Sequence, residues 1–99
     1  MDIRSVRARI DAVDEQILKL FLERMSLVEE IAAIKRARRL PILDARRERE
    51  ILARVSEKAG VYGPYACHLF TVLMELSRAR QAEPLSGPVN TVSRKEEAL

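Results

Sequence analysis

The sequence contains few of the residues that most non-helical folds and many catalytic sites require. Its 99 residues include one cysteine, one histidine, three glycines, four prolines and no tryptophan. Cys67 cannot form an intramolecular disulfide, and with only the adjacent His68 it supplies no cluster for a transition metal. The low glycine, proline and aromatic content argues against a β protein. We therefore expect one small all-α domain without a metal or cofactor.

Long apolar runs are also missing. Stretches such as Leu69–Phe70 and Val72–Met74 span only a few residues, whereas a membrane-spanning helix needs roughly 20. The N-terminal segment MDIRSVRARID is charged where a signal peptide requires an apolar region. Together with the single cysteine, these features predict a cytoplasmic protein that does not enter a membrane.

The charge balance is mildly basic. Eighteen Lys and Arg against fifteen Asp and Glu give a net charge of +3, with a pI near 9.4. Such an excess suits a nucleic acid, an acidic protein face or a small dicarboxylate. Two Phe and two Tyr offer few of the stacking side chains that single-strand binders use. Charge alone does not choose among these partners.

A seven-residue repeat dominates the first part of the chain. The segment from Asp2 to about Arg38 lacks proline and glycine. Its repeat consists of one series with a single arginine and one series that is apolar throughout: Ile3, Ile10, Ile17, Arg24 and Ile31, then Val6, Val13, Leu20, Leu27 and Ile34. The pattern predicts an amphipathic helix of about five heptads, roughly 55 Å long. So long a helix must bury its stripe against another chain or a folded-back partner, and we expect a homodimer.

Two shorter helices are predicted after the break at Arg39-Leu40-Pro41. The second runs from about Asp44, a suitable N-cap, to Ala59, and Gly60 ends it. Its apolar side comprises Ile51, Leu52, Val55 and Ala59.

The third helix runs from about Pro64 to Ala82, since Pro is suited to the first helical position. Its expected inner face comprises Ala66, Leu69, Phe70, Leu73, Leu76 and Ser77. We assign residues 1–82 to the helical domain and residues 83–99, which lack a periodic pattern, to a flexible C-terminal tail.

Cations interrupt the apolar stripe of the first helix. Arg24 occupies a heptad position, and Lys35 lies three turns later on nearly the same face. They are predicted either to form structural ion pairs with other helices or to line an anion pocket, and the pattern leaves both open. Arg7 points about 100° away from Arg24 on the same helix, so it is better placed to reach a partner's pocket across a dimer.

Two further polar sets lie on the shorter helices. Asp44, Arg47 and Glu48 share one face at i, i+3 and i+4, a spacing that alone indicates a cap followed by solvated charges. Ser77 and Gln81, at i and i+4, continue the inner line of the third helix. Alone they indicate a polar helix end, whereas a buried glutamine would need hydrogen-bond partners.

Taken together, these positions resemble the all-helical, type II chorismate mutases of the AroQ class, close to the bacterial mutase domain. The similarity covers residues 4–82 approximately. It is carried by VRARIDAVDEQILKLFLERMSLVEEIAAIK, PILDARREREILARV and LFTVLMELSRARQ. The resemblance implies an intertwined homodimeric bundle with three helices per chain. It also implies a cofactor-free isomerase that rearranges chorismate to prephenate for phenylalanine and tyrosine biosynthesis.

The resemblance also implies roles for the cationic residues. Arg24 is similar to the family arginine that grips a substrate carboxylate, and Arg47 to a third pocket arginine. Arg7 is similar to the arginine that enters the neighbouring chain's site. Lys35 and Gln81 match the pair that hydrogen-bonds the ether oxygen.

Three more positions complete the implied site. Asp44 and Glu48 match the positions near the ring hydroxyl, and Ser77 matches the hydroxyl residue beside a ring carboxylate. All eight residues are predicted to bind substrate. The predicted catalytic set is Lys35, Gln81, Arg24 and Glu48.

Three other functions remain open from the sequence. An isochorismate-pyruvate lyase shares the fold and the cations, but the presence of Asp44 and Glu48 favours the mutase. A non-catalytic helical dimer that binds acidic partners would tolerate loss of Lys35 and Gln81. Nucleic-acid binding is less favoured and would depend steeply on salt.

Overall fold

A computed structural model describes residues 2–84 of the chain. Its elements are α1 (Ile3–Arg38), α2 (Ala45–Ala59), a 3₁₀ turn (Gly60–Tyr62) and α3 (Gly63–Ala82). No strand occurs within these residues, which confirms the all-α prediction. The predicted tail, residues 83–99, lies outside the described part except for its first two residues.

The prediction of three separate helices requires correction. Residues 45–82 form one continuous helical segment, so the described chain has two such segments, and the second is divided into α2 and α3 by the 3₁₀ turn. Gly60 caps α2 with φ 60° and ψ −127°, a backbone conformation open to glycine. The N–H of Gly63 then donates to the carbonyl of Gly60. Hydrogen bonding of the 3₁₀ type therefore continues between the two helices that were predicted to end at Gly60 and to begin at about Pro64.

The ends of α1 follow from its capping residues. The Asp2 side chain accepts a hydrogen bond from the Arg4 N–H at 3.1 Å. At the other end Arg39 adopts a left-handed conformation with φ 57°, and the Leu40 N–H donates to the Lys35 carbonyl at 2.8 Å. Pro41 follows and cannot continue the helix. The predicted boundaries of the long helix are confirmed.

α3 packs antiparallel to α2. Gly63 lies against Ser56, where an added Cβ would stand 3.4 Å from the Ser56 carbonyl oxygen. Further along, the Cys67 thiol lies 3.7 Å from the Leu52 carbonyl oxygen. Later residues of α3 therefore contact earlier residues of α2. The two helices form an antiparallel hairpin that begins where Gly63 lies against Ser56.

α3 runs parallel to the second half of α1. Arg80 bridges the two by an ion pair with Glu29 of α1 at 3.0 Å, and it also pairs with Glu83, the C-cap of its own helix, at 2.7 Å. Burial alone would lower the pKa of Arg80, but hydrogen bonds and charge from Glu83 and Glu29 raise it above its ordinary value. The resulting molecule is a thin slab of 53 × 40 × 14 Å.

Because the slab is thin, few side chains are buried. The buried apolar residues are Val28, Ala32, Ile51 and Met74. Leu69 and Leu76 were predicted on the inner face of α3 but are 54% and 44% exposed. They lie about 100° around the helix from the line through Met74 and Ser77 that faces α1 and α2.

No residue in the first half of α1 is buried, and its apolar stripe faces outward. Ile10 is 52% exposed, Ile17 57% and Leu20 61%. No helix within residues 2–84 is both long enough and apolar enough to cross a membrane.

Candidate active site

A pocket of about 470 Å³ opens where the second half of α1, the loop after it, α2 and α3 meet. Its apolar wall includes Val28, Ile51 and Met74. Seven of the eight residues predicted from the sequence line it: Arg24, Lys35, Asp44, Arg47, Glu48, Ser77 and Gln81. An apolar pocket with a few convergent polar groups is the usual form of a small-molecule site.

The eighth predicted residue, Arg7, does not line this pocket. It is exposed on the first half of α1. It lies seventeen residues before Arg24 on the same helix, about 25 Å along the axis, so Arg7 does not join the seven within one chain. Its predicted action in a neighbouring chain's site stays a prediction.

Arg24 is held against α3. Its Nη1 donates to the Ser77 hydroxyl at 2.5 Å and approaches the Leu73 carbonyl oxygen at 3.5 Å. Burial, and then the positive charge of Arg47, lower the pKa of Arg24 from its ordinary value. Guanidinium groups remain charged even so. Two cations that repel each other and line one pocket indicate a place for negative charge.

Lys35 is oriented by the loop that follows α1. Its Nζ donates to the Ile42 carbonyl oxygen at 2.6 Å, which leaves two of its three N–H donors for other acceptors. Within residues 2–84 neither Lys35 nor Arg24 forms an ion pair with a carboxylate. The structure therefore favours the anion pocket over the structural ion pairs that the sequence left open.

The start of α2 carries three more of the predicted residues. Asp44 is the N-cap, and its carboxylate accepts a hydrogen bond from the Arg47 N–H at 3.0 Å, which confirms its predicted capping role. Arg47 and Glu48 then turn toward the pocket from the first turn of the helix. The residues at the start of α2 therefore both cap the helix and line the pocket, because the loop after α1 places the N-terminus of α2 beside the pocket.

Ser77 and Gln81 are the buried polar residues of α3, each 8% exposed. Ser77 donates to the Leu73 carbonyl at 2.8 Å while it accepts from Arg24. The Gln81 side-chain oxygen is buried and has no hydrogen-bond partner within residues 2–84. A buried oxygen without a partner costs free energy, so a donor on a ligand would stabilise it. Because Gln81 is buried, it is also not part of a helix end that frays into solvent.

Sequence reasoning missed Arg78. It lines the pocket and forms an ion pair with Glu48 at 2.5 Å. The available signal was its spacing, because a residue three positions before Gln81 shares a helical face with it. Within residues 2–84 there is no cluster of three or more His, Cys, Asp or Glu side chains that could hold a metal ion.

Comparisons with known proteins identify the family of the chain. Residues 6–82 match the family model described as chorismate mutase type II. The chain is 33% identical over 91 residues to a chorismate mutase of Methanocaldococcus jannaschii, covering 89% of this chain and 92% of that protein. It is 41% identical over 54 residues to a bifunctional chorismate mutase/prephenate dehydratase of Aquifex aeolicus, covering 54% of this chain and 15% of that protein. The chain belongs to the type II chorismate mutase family.

Proposed function

We propose that the protein rearranges chorismate to prephenate in the pocket between its helices. Family membership makes it a chorismate mutase, an isomerase. The observation that supports the substrate best is the pair of pocket cations, Arg24 and Lys35, which have polar neutral partners and no carboxylate within residues 2–84. Chorismate is a dicarboxylate, so it supplies the missing negative charge.

The reaction is intramolecular and needs neither a nucleophile nor a proton transfer. The ether C–O bond breaks while a C–C bond forms, and negative charge develops on the ether oxygen. Donors aimed at that oxygen bind the transition state more strongly than the ground state. Lys35 retains two free donors. The Gln81 side chain can supply a further donor through its Nε2, whereas its unpaired buried Oε1 is an acceptor. We assign these two residues to the ether oxygen.

Other pocket residues hold the reactive conformer. Arg24 and Arg47 present guanidinium forks that match carboxylates in geometry, and Ser77 lies beside Arg24. Asp44 and Glu48 are assigned to the ring hydroxyl, because a carboxylate is an acceptor for such a group. Holding the two ends of the substrate in a compact chair-like conformer removes most of the entropic barrier.

We further propose that the active form is a cytoplasmic homodimer with shared sites. The exposed stripe on the first half of α1 supports an intertwined pairing, since an apolar surface of that length is stabilised when another helix covers it. Arg7 lies on this half. In the pairing, Arg7 of one chain completes the pocket of the other. The product would then serve phenylalanine and tyrosine biosynthesis.

Product identification tests the function directly. Purified protein is incubated with chorismate and, separately, with isochorismate, and the products are separated by chromatography. We expect prephenate from chorismate. Salicylate and pyruvate from isochorismate, with little prephenate, would assign the protein to the lyases instead. A folded dimer that turns over neither compound would contradict an enzymatic role.

A further inference from the structure

An arginine enters the pocket beside a residue assigned to substrate. Arg78 of α3 contacts both carboxylate oxygens of Glu48, on α2, through its Nη1. The two side chains are 33% and 24% exposed, so the pair lies at the pocket wall with limited access to water. Both residues line the pocket, and the pair joins α2 to α3 next to the buried Gln81.

We infer that Arg78 is a positioning residue that holds the Glu48 carboxylate as the acceptor for the ring hydroxyl of the substrate. This inference rests on the proposed function. A carboxylate has about four lone-pair sites, two on each oxygen. One donor from Arg78 to each oxygen leaves each with a further acceptor site. Glu48 can therefore stay fixed by Arg78 and still accept the substrate O–H.

Charge supports the same assignment. The proposed substrate carries two carboxylates, and an unpaired Glu48 would repel them across a pocket of low polarity. Arg78 removes this repulsion without occupying the space of the substrate, because it approaches Glu48 from the α3 side. Unlike Arg24, whose partners are a hydroxyl and a carbonyl, Arg78 already has a carboxylate partner. It is thus placed to act through Glu48.

A double-mutant cycle separates this role from direct substrate binding. Arg78→Met, Glu48→Gln and the double variant are prepared, and kcat and KM for chorismate are measured for each. We expect Arg78→Met to lower kcat/KM about tenfold in the native background, within the range of coupling between contacting residues. In the Glu48→Gln background the same change should cost less than about threefold.

Two further variants provide controls. Arg78→Lys keeps a cation beside Glu48 and should retain most of the activity. Arg46→Met breaks the ion pair with Glu50, which is 85% and 52% exposed on the same helix as Glu48, and should leave kcat/KM unchanged. Circular dichroism of each variant checks that helical content is retained.

A substrate-side measurement completes the test. For the chorismate analogue that lacks the ring hydroxyl, Arg78→Met should cause a smaller loss than for chorismate, because Glu48 then has no hydroxyl to accept from and only its repulsion of the substrate carboxylates remains. Equal losses in both Glu48 backgrounds would show that Arg78 binds substrate directly and would overturn the inference. Unchanged kinetics in Arg78→Met would also overturn it while leaving the proposed function intact. An inactive native chain would overturn both.

Discussion

The two halves of α1 have the same seven-residue repeat but very different surroundings. In residues 24–38 the helix packs against α3, and Val28 and Ala32, which lie outside the repeat, are 9% and 3% exposed. The repeat residues Leu27, Ile31 and Ile34 remain 56%, 45% and 45% exposed. In residues 3–23 the same repeat faces outward, and Ile10 and Ile17 remain more than half exposed. One uninterrupted helix therefore has two parts. Residues 24–38, the wall, form one side of the pocket, and residues 3–23, the arm, keep their apolar stripe exposed.

This difference shows that periodicity reports an apolar face but not what covers it. In the second half α3 of the same chain lies beside the repeat, where it leaves Val28 and Ala32 buried and brings Arg24 to Ser77. The first half has no such neighbour, and its stripe suits another copy of the same helix. Four experiments test the different roles of the arm and the wall.

The largest effect is expected from charges placed on the arm. Ile10→Asp with Ile17→Asp puts two carboxylates in the proposed dimer seam, where an unpaired buried charge costs several kcal/mol. We expect a monomer without detectable activity, measured by sedimentation and by the chorismate assay. Ala8→Asp places the same charge on the opposite face of the arm and should leave the dimer active. A fully active monomer would contradict the shared site.

Subunit mixing tests whether arm and wall of different chains form one site. Arg7→Ala and Arg24→Ala should each be nearly inactive, because each removes one cation from every site. After exchange, half the dimers are heterodimers with one intact site, so about a quarter of the normal activity should return. Absence of recovery, despite exchange demonstrated with tagged chains, would place Arg7 outside the site.

A single change in the wall should have a smaller effect. Lys35→Ala removes one donor aimed at the ether oxygen and should lower kcat by about 10²-fold. Lys58→Ala, on the same molecule but away from the pocket, is the matched control. Steady-state kinetics measures both, and circular dichroism shows whether the helices persist. Near-normal kcat in Lys35→Ala would remove Lys35 from the mechanism.

The smallest effect concerns the contact that holds the wall together. Arg80→Met removes the ion pairs to Glu29 and Glu83 from a side chain that is 12% exposed. We expect a loss of about 1–2 kcal/mol in the free energy of unfolding, because the partners are themselves partly exposed. Denaturant unfolding at fixed chain concentration measures it. Arg46→Met, which breaks a more exposed pair, should cost less than about 0.5 kcal/mol; equal losses would contradict a special role for Arg80.

Local features of the fold were predictable because their causes are local. Asp2 and Asp44 cap N–H groups two and three residues further along the chain, and Pro41 cannot continue the helix that precedes it. The passage between α2 and α3 was not predictable in the same way. Glycine permits both a loop and a 3₁₀ turn, and the close packing of Gly63 on Ser56 selects between them.

The predicted pocket residues came from spacing and family resemblance, and seven of them do line one pocket. Spacing alone could not show whether Asp44 only caps a helix or also lines a pocket, or whether Gln81 lies at an exposed helix end. The same spacing is compatible with either arrangement. Arg78 was missed for a related reason. Its partner Glu48 lies thirty positions away, and pairing at that distance depends on how the hairpin closes.

The positions of the helices, their caps, the cationic character and the family could be predicted from the sequence, because these follow from neighbouring residues and from matched motifs. Only the tertiary structure decided which apolar faces are covered, that Leu69 and Leu76 stay exposed while Met74 is buried, and that Glu48 pairs with Arg78. The physical reason is the same in each case. Burial and ion pairing depend on the distances between helices, and a helical repeat fixes only the direction in which each side chain points.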